Sequence, residues 1–461
     1  MKTVCFLPLH APSWKEMRPL ALALGQGGRA RPVVLASGGL APRLLADCQQ
    51  AGLQAILLPE IDPYGRQGPL TAWLRRAREK AEVTWPLLGG QTAGQARFHR
   101  QRLARQHQEI ERLWDSLRPA ALVTLDGRKY GWQLPALQVC RQRGTRVVLP
   151  PVALAARPLE LAQRNQGPQY LAGGFPSLLR RHPGQALWDP ARQAHIFFFP
   201  APVVAALGAH GMLPPNPWVV GGGWPVTVMV EGQDMWDFHA SSGLDPGRML
   251  LTGHAAHDAL HQGLARRDDL RQDLGRRYSL DPGAPLALIT PLALAEQGVW
   301  RADHQRRENE FLCQVMAQEL TAAGGQGLVS LHPKADPRDY GFMEERYGLT
   351  VVRERIEEVL PAMDVFLASF SSTVPWAALC RVPTLVFAFH GLSYDFFDHL
   401  RGVRVLPQRE DLAPDLRRLL RDPAYHQETV RALAASARGL SPFDGLCTQR
   451  ILEAILPDGG A

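Results

Sequence analysis

Lysine is almost missing from this chain: only five of its 51 basic residues are lysine, which leaves 46 arginines. Arginine-rich codon usage accounts for such a bias. The functional alternative is a surface that meets anionic lipid or an acidic glycan. No basic tail with interleaved aromatics occurs, which argues against nucleic acid as a partner. Cysteine is sparse and scattered, at Cys5, Cys48, Cys140, Cys313, Cys380 and Cys447. With no close pair, these read as reduced thiols of a cytoplasmic protein, not as a disulfide framework or a zinc site. The first residues run straight into a strand-like segment, which argues against a signal peptide. Glycine follows no dinucleotide fingerprint, and no G-x-S-x-G elbow supports a hydrolase triad. No acidic pair of the D-x-D kind stands at a strand end. A metal-independent mechanism without a cofactor is therefore expected.

Charge is absent from one long tract, Gln193 to Val230, which holds no Asp, Glu, Lys or Arg. Pro200, Pro202, Pro214, Pro215, Pro217 and Gly221-Gly222-Gly223 interrupt it. A spanning helix needs about 20 uninterrupted apolar residues, so the tract is not read as transmembrane. Buried core beneath an interdomain cleft is the expectation. A monotopic contact at the inner face of the membrane is the sharper alternative.

What is present is α/β patterning. Short apolar runs at 3–8, 32–36, 55–58, 120–125 and 145–149 alternate with helical stretches, including an Arg-rich one over 70–117. Such alternation favours a doubly wound parallel sheet. Residues 150–246 read as irregular and rich in Pro, Gly and Trp. A second set of runs follows at 286–290, 327–331, 349–352, 365–368 and 384–387, with a strand at 249–252 ahead of a charged helix over 257–278. The expected organisation is an N-terminal Rossmann-like domain over 1–246 and a second over 247–440. A tail helix over 441–461 could cross back to the first. Two such α/β domains describe the GT-B architecture.

Ligands of open α/β sheets bind beyond the carboxyl ends of the strands, so polar residues there carry the chemistry. Ser369, Ser371, Ser372 and Thr373 follow the strand at 365–368 and open a short helix. Helix N-termini offer free N–H groups to phosphate, although one serine already suffices as an N-cap. His332-Pro333-Lys334 follows the strand at 327–331. The imidazole can donate to a phosphate oxygen, and Lys334 adds charge. Asp126-Gly127-Arg128 ends the strongest strand of the first domain. Asp126 suits a general base or a nucleophile, against the plainer reading of an Asp-Gly turn. Arg128 could hold an acidic sugar or a phosphate. Gly253-His254 at the expected domain junction could approach the nucleotide, with a hinge or capping role equally open, and His10 and Ser13 follow the first strand towards the same cleft. Asp364 reads as structural. Gly221–Gly223 does not follow a strand into a helix, so it is not read as a phosphate loop.

This motif set resembles that of bacterial GT-B glycosyltransferases with cytidine-nucleotide donors. Those families share an acidic residue followed by Gly in the first domain, and a His-Pro and a Ser-Ser in the second. Here the matching residues are Asp126-Gly127, His332-Pro333 and Ser371-Ser372. The stretch from Ser371 to Thr384, with Gly391-Leu-Ser-Tyr-Asp395 after it, is similar to the capsule-polysaccharide Kdo transferases. It also resembles the glycerophosphotransferases that build teichoic acids. The sialyltransferase-type motif carries two acidic residues before its Gly, whereas Leu125 stands in the first place here. The nucleotide-sugar 2-epimerases carry Ser-Gly-Gly and a glutamate where this chain has Ser-Ser-Thr. The resemblance implies a nucleotide-sugar donor, a CMP sugar of the Kdo or nonulosonic type, and a glycan or lipid-linked acceptor. UDP-sugar or CDP-glycerol donors are the alternatives, as is a non-catalytic protein that only binds nucleotide or glycan.

Overall fold

The computed structural model describes residues 1–61, 90–151, 156–296, 300–332, 335–389 and 397–457. They form two compact units. The first comprises Met1–Val230, Met235–Leu251 and Gln449–Ala461, and the second Glu231–Asp234 and Thr252–Thr448.

In the first unit the apolar runs fold as β1 (Thr3–Leu7), β2 (Arg31–Ala36), β3 (Gln54–Leu57), β4 (Ala121–Thr124) and β5 (Arg146–Leu149). A separate antiparallel hairpin pairs β6 (Ala186–Asp189) with β7 (Ala194–Phe197). Then come β8 (Thr227–Val230) and β9 (Met249–Leu251). The main sheet runs β3-β2-β1-β4-β5-β8-β9, and all its pairs are parallel. Helices cover both faces of such a sheet, which is why all five residues of β1 are buried. Strand order reverses between β1 and β4, so the topological switch point lies at their carboxyl ends.

Two expectations change here. The span 150–246 is not irregular throughout: it supplies β8 to the sheet and the buried helix Ala201–Ala209. Its Pro and Gly residues sit between short elements and hide them from a periodicity reading. The strand expected to open the second domain, β9, is instead an edge strand of the first sheet beside β8. The charge-free tract is core of this unit, with Phe197, Val204, Leu207, Trp224 and Val228 all buried. Among the described residues no helix is long and apolar enough to cross a membrane. The expected helix over 70–117 is seen from Gly90 to Leu117, and residues 70–89 lie outside the described residues. All six cysteines are buried and free.

The second unit carries β10 (Leu286–Ile289), β11 (Gln326–Val329), β12 (Thr350–Val351), β13 (Val365–Ala368), β14 (Thr384–Phe387) and β15 (Val403–Leu406). Their order is β12-β11-β10-β13-β14-β15, again parallel, with the switch point between β10 and β13. The charged helix expected over 257–278 is two helices, Ala255–Ala265 and Arg267–Tyr278, because Arg266 leaves helical geometry at φ −121° and ψ 35°. Asp364 is structural, as its place before β13 suggests. It accepts from Arg267 and from Leu286 N–H at 2.8 Å and from Arg271 at 2.9 Å, tying β10 and β13 together at their amino ends.

Candidate functional site

The polar groups of the second unit gather at its switch point. β10 lies between β11 and β13, so the loops that leave these three strands are neighbours. The loop after β13 holds Ser369, Ser371, Ser372 and Thr373, and the loop after β11 holds His332. Ser371 Oγ and Thr373 Oγ1 are 2.9 Å apart, and Ser371 Oγ also accepts from Thr373 N–H at 3.3 Å. Val374 N–H is bound to Ser371 O at 3.1 Å, and Pro375 has no N–H to give. The helix that follows, Val374–Leu379, has only six residues. Hydroxyl groups, more than a row of free N–H groups, are therefore what this elbow offers an anion. Pro333 and Lys334 lie outside the described residues, as does the segment 391–395.

The loop after β10 adds a residue that motif reading passed over. Glu296 accepts from Tyr340 Oη at 2.5 Å and from Gln305 Nε2 at 2.9 Å. Burial alone would raise this carboxyl. The hydrogen bonds from Tyr340 and Gln305, with His332 close by, hold it below its ordinary value. Asn309 fixes the root of the loop, donating to Leu292 O at 3.0 Å and accepting from Leu292 N–H at 2.9 Å. Glu296 could have been found by applying the strand-end rule to β10 as it was applied to β11 and β13.

Gly253 and His254 take the plainer of the two parts open to them, packing and helix capping. Gly253 sits at φ +76°, and a Cβ on it would lie 2.3 Å from Cys447 Sγ. The glycine is needed for packing whether or not a ligand comes near. His254 is buried, caps its own helix by accepting from Ala256 N–H at 3.1 Å, and packs its ring 5.3 Å from that of Trp376. His257, 1% exposed, shares a 2.7 Å hydrogen bond with Ser441 and lies 3.8 Å from Glu231. Burial lowers both imidazoles, that of His257 well below its ordinary value. His254 thus buttresses the helix behind the serine elbow through Trp376.

In the first unit Asp126 stands just past β4 with φ +70°, a conformation uncommon for a residue with a side chain. Its backbone is held by Gly221 N–H, which donates to Asp126 O at 2.7 Å. Gly127 follows at φ +76°, and a Cβ there would be 2.7 Å from Gly221 Cα. Two glycine segments meet backbone to backbone, which gives Gly221–Gly223 a structural task. Arg128 is committed inside the protein: it donates to Asp126 Oδ1, and to Pro217 O at 3.2 Å. It also lies 5.5 Å from the centre of the Phe198 ring. It thereby orients Asp126. Lys129 Nζ is 3.8 Å from Asp126 Oδ2. Burial, with the Arg128 charge second, pushes His239 down to about 4.

His10 lies past β1, the neighbour of β4, and caps the helix Ala11–Gln26 by accepting from Ser13 N–H at 3.1 Å. Ser13 does not serve a ligand. Its hydroxyl donates to His10 O at 2.6 Å and accepts from Leu9 and His10 N–H at 2.9 Å, which exhausts its capacity. Among the described residues no group of three or more His, Cys, Asp or Glu is arranged to hold a metal ion.

No family model matches this chain, and no curated protein matches it in sequence. Solved structures do resemble it. UDP-GlcNAc 2-epimerase from Neisseria meningitidis bound to UDP-GlcNAc aligns with TM-score 0.55 at 11% identity, over 99% of this chain and 100% of its own. The wall teichoic acid polymerase TagF, in a structure with CDPG, aligns with TM-score 0.54 at 11% identity, over 98% of this chain and 88% of its own. The glycotransferase of kitacinnamycin aligns with TM-score 0.53 at 14% identity, over 98% and 99%. At such identities the likeness is one of fold, and the fold of this chain is the GT-B type: two Rossmann-like parallel α/β units with a helical C-terminal tail.

Proposed function

We propose that the chain is a glycosyltransferase that moves a sugar from a nucleotide donor to a glycan or lipid-linked acceptor in surface polysaccharide synthesis. The observation that supports this reading is the second unit's switch point, where the loops of three adjacent strands carry Glu296 with His332 near it and the paired hydroxyls of Ser371 and Thr373. Hydroxyl and imidazole donors suit a phosphate ester. In this reading Ser371, Ser372 and Thr373 bind the donor phosphate, flanked by Ser369, Pro333 and Lys334. His332 donates to the same phosphate and assists departure of the leaving group. Glu296, fixed by Tyr340 and Gln305, steadies the imidazolium that does so. Asp126, oriented by Arg128, acts on the acceptor hydroxyl or the anomeric carbon. The donor we favour is a CMP sugar of the Kdo or nonulosonic type, from the motif resemblance. A UDP sugar or CDP-glycerol is the second reading, favoured by fold neighbours whose structures hold UDP-GlcNAc and CDPG.

Thermal-shift screening against CMP, CDP, UDP, GDP and ADP tests the donor. Stabilisation follows RT ln(1 + [L]/Kd), so at 100 times Kd a ligand adds about 2.7 kcal/mol. A response to UDP with none to CMP would replace the cytidine assignment. Asp126→Asn tests the chemistry. The expected result is turnover reduced by at least about 100-fold with nucleotide binding kept, whereas a protein that only binds nucleotide has no turnover to lose.

A further inference from the structure

The first unit holds a half-buried arginine with a buried nitrogen that finds no acceptor among the described residues. Arg102 stands on the helix Gly90–Leu117, and its Nε is buried without a hydrogen-bond partner among the described residues. Its guanidinium carbon lies 5.8 Å from the centre of the Tyr130 ring. One turn on, Gln106 is 0% exposed, and both atoms of its amide lack partners. One turn back, His99 Nδ1 and Tyr130 Oη share a 2.7 Å hydrogen bond, with the rings edge to face. Positions 99, 102 and 106 form one stripe of the helix. Tyr130 belongs to the loop that leaves β4 at Asp126 and carries Lys129 beside it.

Buried guanidinium and amide groups are normally paired, because leaving them bare forfeits hydrogen bonds that water supplies to the unfolded chain. Arg128, two residues before Tyr130, is paired through both Nε and Nη1, so the protein does supply acceptors to a buried arginine in this loop. A guanidinium edge beside an amide and a phenol suits a ligand that only accepts: the oxygens of a carboxylate or a phosphate.

We propose that Arg102, Gln106, His99 and Tyr130 form an oxyanion subsite for a carboxylate or phosphate group of the acceptor. Only the identity of the carrier rests on the glycosyltransferase reading; the subsite itself rests on the unpaired groups.

Titration of the full chain with inorganic phosphate and, separately, with glucuronate at fixed ionic strength tests this. Saturable binding of phosphate points to a phosphate-bearing acceptor, and of glucuronate to an acidic sugar. Either supports the subsite if Arg102→Met weakens it at least about tenfold, while Arg97→Met, an exposed change on the same helix, leaves it unaltered. Gln106→Glu guards against a variant that merely unfolds. It gives Arg102 a carboxylate within the chain, so anion binding is lost without a fall in Tm. No saturable response in the wild type, or an unchanged isotherm in Arg102→Met, overturns the proposal. Loss of CMP binding alongside intact anion binding would count against the donor assignment and leave this subsite standing.

Discussion

The two switch points of this molecule are built from opposite materials. In the first unit the turn past β4 is held by backbone: Asp126 and Gly127 both at positive φ, locked against Gly221, with the carboxylate tied to Arg128. In the second unit the loop past β10 is held by side chains, through Asn309, Gln305 and Tyr340, and past β13 the hydroxyls of Ser371 and Thr373 bond to each other. The first arrangement fixes one carboxylate rigidly. In the proposed reading the second presents several donors that adjust to a flexible phosphate. The first should therefore fail through stability, and the second through affinity.

The largest expected effect follows from the backbone contact. Gly127→Ala should cost about 3 kcal/mol or more, because its Cβ would meet Gly221 backbone at 2.7 Å as well as carrying the positive-φ penalty. Gly144→Ala, at a similar φ of +67° but with open space around it, should cost only about 1 kcal/mol. Urea unfolding of both separates collision from conformation, and equal losses would show that the close approach carries no weight.

Acid should also act on the first unit through His239. Its folded pKa, about 4, lies below the unfolded value of 6.5, so the unfolded chain takes up the proton first. The stabilisation is complete above pH 6.5 and is lost as pH falls towards 4, by about 3 kcal/mol at most. His254 and His257 act in the same direction in the second unit. Urea midpoints from pH 7 to 4 should fall less steeply in His239→Gln. Parallel curves for variant and wild type would mean that His239 titrates normally.

In the second unit Asp364→Asn should cost about 2 kcal/mol, since two arginines lose their shared carboxylate partly shielded from water. Ser372→Ala should change stability by less than about 0.5 kcal/mol, yet weaken nucleotide binding about tenfold through one lost charge-assisted hydrogen bond. A stability loss without an affinity loss at Ser372 would reverse the assignment of roles between the units.

The same contrast explains what could be read from sequence. Strands buried on both faces, such as β1, β4 and β13, are uninterrupted apolar runs and were legible. β8 was not, lying just past Gly221–Gly223 and Pro225, and β15 was not, because Arg404 interrupts a short edge strand. Strand-end logic led to Asp126, His332 and the serines because each follows a recognisable run. It could not show that Ser13 bonds only to its own turn, that Arg128 is tied to Asp126, or that His254 is buried against Trp376. Those are long-range or geometric facts. Arg102 has no motif around it, and only three-dimensional accounting of hydrogen-bond partners brings it out.

The central claim is that a donor phosphate binds where the loops of β11, β10 and β13 converge. A crystal soaked with CMP tests it most directly. The account predicts phosphate oxygens within about 3 Å of the Ser372 hydroxyl and the His332 imidazole. CMP bound elsewhere, with those two side chains packed against protein, would contradict it.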